Sequence, residues 1–204
     1  MKYPLGVAFP DDLQRKIKEE FYFLSDDEGV KRIFFDNSGG ALRLKRCVEA
    51  KARLEAYPDC PERTHNRAKE LKRIVNEGTK DILEIIFGAE DGALITELTA
   101  SQTMFHMVEI ILENSKGTNA VVSAVEHPSA FDAMEYYCKK TGKELRVLPV
   151  NPYTGAVNPE VLAEYVDENT ALLSVMSASN VTGSIMDIEK IVKKFEPDVE
   201  VIEK

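Results

Sequence analysis

The chain of 204 residues reads as an α/β protein: a mostly parallel sheet with helices on both faces, preceded by a helical N-terminal segment. Three observations predict this. From about residue 93 onward, short apolar runs alternate with stretches of helical periodicity, the pattern of parallel strands joined by crossover helices. Before that point, helical periodicity is interrupted by only one short apolar run. Hydrophobic residues make up 44% of the chain and charged ones 30%, an ordinary balance for a chain long enough to bury its own core.

The elements follow in order. Asp11 or Asp12 can cap a helix in which Leu13, Ile17, Phe21 and Leu24 recur at helical spacing. A short strand over 32–35 leads into the turn Asp36-Asn37-Ser38-Gly39-Gly40. A second helix is expected from just after Gly40 to Tyr57, broken by Pro58-Asp59-Cys60-Pro61. A long charged helix is expected over 62–87, with Gly88 as its C-cap. Beyond a seam near residue 90, strands are expected at 93–95, 120–123, 145–148, 171–175 and 199–202. Helices at 100–112, 130–140, 159–166 and 188–195 alternate with them. The expected division is an N-terminal helical segment over 1–30 and an α/β domain over 31–204.

Charge and composition exclude several classes. A net charge of −9 argues against nucleic acid and anionic membranes as partners, because both need a positive surface. No apolar run reaches the ~18 residues of a membrane span. The first residues lack the apolar stretch of a secretory signal, which points to the cytoplasm. Cys47, Cys60 and Cys138 are scattered and odd in number, as free thiols are in a reducing compartment. Cys138 is expected to be packed in a helix and Cys60 exposed in a loop. His65, His106 and His127 are equally dispersed, so no metal site is expected, and His106 reads as a helix-face residue. No G-x-G-x-x-G or Walker-type segment supports a doubly wound nucleotide-binding domain.

Ligands of open α/β sheets bind beyond the carboxyl ends of strands, and three loops there are unusually polar. The first, Thr96 to Thr103, puts hydroxyls and backbone N–H groups at a helix start. Thr99, Ala100 and Ser101 either cap that helix or hold a phosphate there. The second places His127 between a strand and Pro128, where an imidazole can stack on a planar cofactor, shuttle a proton, or simply be structural. The third offers Asn180 ahead of Gly183, and that amide either bonds a ligand hydroxyl or makes an Asx-turn.

Taken together, the three loops resemble one family. Thr99 and His127 stand 28 residues apart, Glu126 precedes His127, and Ser179-Asn180-Val181-Thr182-Gly183 follows in order. Phe34-Phe35-Asp36-Asn37-Ser38-Gly39-Gly40-Ala41 and the stretch from Leu145 to Gly155, followed by Asn158-Pro159-Glu160, complete the pattern. This arrangement, over roughly 30–202, resembles the N-terminal part of the class V aminotransferase and cysteine desulfurase family, the fold-type I pyridoxal-phosphate enzymes. The resemblance implies the large domain of that fold and pyridoxal 5′-phosphate as cofactor. It also implies an amino acid as substrate and a homodimer. It assigns the phosphate to Thr99, Ala100 and Ser101, ring stacking and proton transfer to His127, and the cofactor's phenolic oxygen to Asn180. Asn37 and Gly39 fall on the substrate side.

Two departures stand out. Where relatives carry Gly before the phosphate Thr and Glu after it, this chain has Glu97-Leu98 and Ala100. Glu97 opposes a phosphate dianion unless its side chain is turned away. In relatives, a strand like 199–202 leads to an Asp on the pyridine nitrogen and, further on, to the Schiff-base lysine; here the sequence stops at Glu203-Lys204. The expectation is a truncated or fragmentary enzyme, inactive alone, whose parent reaction is aminotransfer, desulfuration or a related lyase step. The alternative is a non-catalytic interaction module or one half of a split enzyme.

Overall fold

The computed structural model describes residues 9–25, 28–37, 39–57, 60–89, 91–195 and 201–203. They form two compact units, 1–92 and 93–204.

In the first unit, helix α1 spans Asp11–Glu19, helix α2 Lys45–Glu55 and helix α3 Asn66–Asp81. Pro10 occupies the N-cap of α1 with no side-chain cap bond. Asp11 and Asp12 therefore sit inside the first turn, with Lys16 and Lys18 in the last, each sign matching the nearer end of the helix dipole. The expected cap at Asp11 or Asp12 is thus corrected. The expected strand over 32–35 is also corrected. Among the described residues the nearby pairing is an isolated antiparallel bridge, Ser25 to Lys31, and Ile33 and Phe35 are 80% and 90% exposed. A short run with no ladder partner among the described residues stays irregular. The second helix starts at Lys45 rather than just after Gly40, its first turn following a bridge between Phe21 and Leu44. The long charged helix starts at Asn66 rather than Glu62, where the His65 ring accepts a bond from Ala68 N–H. It passes into a π-helical turn over Ile82–Ile86, and Gly88 follows with φ +64°.

The second unit holds the sheet. Its elements are α4 (Ala100–Asn114), β1 (Asn119–Ser123), α5 (Pro128–Thr141), β2 (Glu144–Leu148), β3 (Thr170–Val175), α6 (Ile188–Phe195) and β4 (Val201–Glu203). All the ladders are parallel, in the order β2-β1-β3-β4. β1 and β3 are buried along their whole length, so their centres read as apolar runs, Ala120-Val121-Val122 and Ala171-Leu172-Leu173, rather than as alternation. Helix α5 is bounded by its own sequence: His127 caps it, Pro128 enters at the first turn, and Gly142 ends it in the left-handed region.

Two apolar clusters flank the sheet. On one face Met104, Val108 and Leu112 of α4 and Ala133 and Met134 of α5 pack on Ala120, Val122 and Leu172. On the other, Leu162, Met186 and Ile191 pack on Val121, Leu148, Leu173 and Val175. Helices thus cover both faces, as expected. The expected strand over 93–95 is absent: the chain there joins no ladder among the described residues, and Ile95 is 60% exposed. The expected helix over 159–166 shrinks to a 3-10 turn over Val161–Glu164. The Asn158 side chain accepts the Glu160 N–H at 3.0 Å and so competes with the first helical turn.

The amino ends of the strands are locked by a polar network. The buried Asn119 amide donates to Asp167 Oδ1 at 2.9 Å and accepts from the Thr170 hydroxyl at 2.8 Å. Arg146 Nη1 donates to Asp167 Oδ2 at 2.7 Å. The Arg146 bond, then those from Asn119 and the Asn169 N–H, holds the Asp167 carboxyl down at about 2.

Candidate functional site

The site is built at the opposite, carboxyl edge. β1 and β3 are adjacent and parallel, so the loops that follow them leave the sheet side by side. One residue ties these loops together. Glu126 is buried, and its Oε1 accepts from the Ser123 hydroxyl at 3.0 Å and from the Met176 N–H, just past β3. His127 follows directly, at the N-cap of α5. Its Nδ1 accepts the Ser129 N–H at 3.1 Å and meets the Ser129 hydroxyl at 2.8 Å. An imidazole that accepts at Nδ1 carries its proton on Nε2 when neutral, so this tautomer is selected by the cap. The ring is exposed.

The loop after β3 is a tight turn. Ser179 Oγ accepts the Val181 and Thr182 N–H groups at 3.2 and 3.1 Å, the Gly183 N–H bonds the Ser179 carbonyl, and Gly183 has φ +73°. The side-chain acceptor that closes this turn is Ser179, and Asn180 is exposed at its crest. A second loop clasps it: the Thr182 hydroxyl donates to the Gly155 carbonyl at 3.3 Å, and the Ser184 hydroxyl donates to the Thr154 carbonyl. Gly155 has φ +68°, and a Cβ there would lie 2.7 Å from Thr182 side-chain carbons, so this approach requires glycine.

Thr99 reaches the same edge by a different route. Helices α4 and α5 run side by side in one direction. Lys140, late in α5, pairs with Glu109 and Glu113, late in α4, at 3.1 and 2.7 Å. Just past the two helices, Lys143 Nζ bonds the Ser115 carbonyl at 2.9 Å. Helices of 15 and 14 residues that end together also begin together, so the start of α4 lies at the edge where α5 starts. There Thr99 Oγ1 accepts the Gln102 N–H at 3.2 Å, the capping role, and the first turn holds no acidic side chain. Ala100 and Ser101 are the first residues of that turn.

Glu97, flagged as adverse to a phosphate, is turned onto the helix: its Oε1 lies 2.9 Å from His106 Nδ1. His106 stands on an exposed face of α4, as its spacing suggests. Hydroxyl donors and a free-facing helix start suit a phosphate, and an exposed imidazole of fixed tautomer suits a planar ring, so this donor set fits a phosphorylated aromatic cofactor. Asn37 and Gly39 belong to the first unit. There the Gly39 N–H bonds Asp36 Oδ1 at 3.2 Å, and both residues are exposed. Sequence reasoning paired Glu126 with His127 but missed its bond to Met176. The Ser123 to Glu126 spacing was the available hint; the clasp between Gly155 and Thr182 left none.

The comparisons with known proteins agree with this architecture. A family model described as Aminotransferase class-V matches residues 33–201. The chain is 29% identical over 132 residues to cysteine desulfurase IscS 1 of Archaeoglobus fulgidus, covering 64% of this chain and 34% of that protein. It is 24% identical over 194 residues to a cysteine desulfurase of Shigella sonnei, covering 87% of this chain and 45% of that one. Among solved structures, the cysteine desulfurase CsdA of Escherichia coli matches with a TM-score of 0.73 at 17% identity, over 97% of this chain and 49% of that chain. A C-DES mutant with glycine covalently linked to its PLP cofactor matches with a TM-score of 0.73 at 18% identity, over 96% and 49%. The chain therefore spans from a third to a half of the length of these relatives. Among the described residues, no helix is long and apolar enough to cross a membrane.

Proposed function

This chain belongs to the class-V aminotransferase family, and we propose that it supplies the phosphate-holding and ring-stacking side of a pyridoxal-phosphate site acting on an amino acid. The observation that carries the reading is the common edge reached by the start of α4, the start of α5 and the loop after β3. Thr99, Ser101 and the first N–H groups of α4 hold the phosphate by hydrogen bonds and by the helix dipole. His127 lies over the ring and offers its Nε2–H as a donor, with Ser129 keeping the imidazole in one orientation. Asn180 bonds the phenolic oxygen. Asn37 and Gly39 receive the substrate side through the motif resemblance alone. When bound, pyridoxal phosphate supplies the electron sink for breaking a bond at the amino acid's α-carbon.

The same reading covers the parent reaction, aminotransfer, desulfuration or a related lyase step, and a cytoplasmic homodimer. A polypeptide of these 204 residues alone is read as turning over no amino acid, because the family resemblance assigns the Schiff-base lysine to a segment after the last strand. The test is to titrate the protein with pyridoxal phosphate, reduce with borohydride and map modified lysines by mass spectrometry. Saturable binding that weakens in His127→Ala, with only scattered substoichiometric lysine labelling and no product release, supports the proposal. Release of product from an amino acid, or binding indifferent to His127, refutes it.

A further inference from the structure

We propose that His106 is a positioning residue that keeps the Glu97 carboxylate off the start of α4, so that this end stays open to the cofactor's phosphate. The inference rests on the phosphate reading above. Glu97 stands two residues before the Thr99 cap, and a helix start attracts any carboxylate that can reach it. Left to itself, Glu97 would bond the first N–H groups of α4 and fill the anion position from within. It would also repel a phosphate dianion at short range.

The structure directs Glu97 elsewhere. Its Oε1 lies 2.9 Å from His106 Nδ1, in the second turn of α4. Thr103, His106, Met107 and Ile110 share one face of that helix, as their spacing requires. With Ile95 and Glu97 they wall a cavity of about 270 Å³. The Glu97 side chain is 27% exposed, so apolar walls remove part of its hydration and a hydrogen-bond donor must replace it. His106 is that donor. The other acid on this wall, Glu109, is bonded by Lys140 at 3.1 Å, which leaves Glu97 as the partner of His106.

The test compares pyridoxal phosphate with pyridoxal, which lacks the phosphate, by equilibrium titration of the full chain. His106→Ala is expected to weaken pyridoxal phosphate about tenfold, the scale of one unit charge acting near the surface, while pyridoxal is unchanged. His106→Gln keeps an N–H donor and is expected to bind nearly as the wild type does. Glu97→Gln is expected to bind at least as tightly, and the double variant His106→Ala with Glu97→Gln to recover the loss. An unchanged affinity in His106→Ala, an equal loss for both ligands, or a double variant that stays weak overturns the proposal. A wild type with no preference for the phosphorylated ligand overturns the phosphate reading and this inference with it. A preference undiminished in His106→Ala overturns this inference alone.

Discussion

The buried Glu126 carboxylate accepts the Met176 N–H across fifty residues of sequence and so joins the loop carrying His127 to the loop carrying Asn180. Replacing Glu126 with Ala leaves the Met176 N–H and the Ser123 hydroxyl without this acceptor inside the protein. The expected loss is about 1–3 kcal/mol of stability, read from urea denaturation midpoints. Glu126→Gln, which retains an acceptor oxygen, should lose less. Equal stability in all three proteins would sever the proposed tie.

Gly155 carries a second constraint. Ala at this position must adopt φ near +68° and press its Cβ against Thr182. A destabilisation of about 1–3 kcal/mol is expected from the backbone conformation. Adding Thr182→Gly, which removes the Cβ, Cγ2 and Oγ1 atoms that crowd the position, should recover the steric share and leave the conformational share. A double variant no better than the single one would show that contact with Thr182 is not the cause.

Acid stability should report Asp167. Its carboxyl is lowered from the ordinary 3.8 to about 2, first by the Arg146 bond, so the folded state favours the ionised form. The contribution is complete above the unfolded value and is lost as pH falls through the folded one. Stability is therefore expected to drop between 3.8 and about 2 more steeply than in Asp167→Asn. Parallel pH profiles for the two proteins would contradict this assignment.

Thiol labelling separates the cysteines. Burial pushes the Cys138 thiol up to about 11, whereas Cys47 and Cys60 are exposed. Iodoacetamide at pH near 8 is expected to modify Cys47 and Cys60 in the native protein and Cys138 only after denaturant is added. Rapid native labelling of Cys138 would place it at the surface.

The sheet was legible in the sequence because β1 and β3 are buried on both faces and read as apolar runs such as Ala120-Val121-Val122. The same signal misled at 32–35 and 93–95, since hydrophobicity marks a possible strand but not a partner for it. Within the site, the N-cap at Thr99 was legible from local chemistry, whereas the helix expected from residue 130 starts at Pro128 with His127 as its cap. The Asn119, Thr170, Asp167 and Arg146 network was not legible, because its members lie up to 51 residues apart and are polar residues that look solvated in sequence. The turn at Asn180 was half read: the backbone turn was expected, but Ser179 supplies its side-chain acceptor.

The strand order also governs how the chain can assemble as it leaves the ribosome. β1, α5 and β2 emerge together and can pair at once, with α4 already available to cover one face. The opposite face, Val121 with Leu148, must wait for Leu173, Val175 and Ile191. The Asn119 amide and the Glu126 carboxylate wait as well, since Thr170, Asp167 and Met176 have not yet been synthesised. The nascent piece therefore presents an apolar surface with unmatched polar groups at both ends, the kind of surface that holdase chaperones bind. Arrival of β3 beside β1 brings Leu173 and Val175 to the second core and satisfies both polar ends in one step, and α6 then closes that core with Ile191.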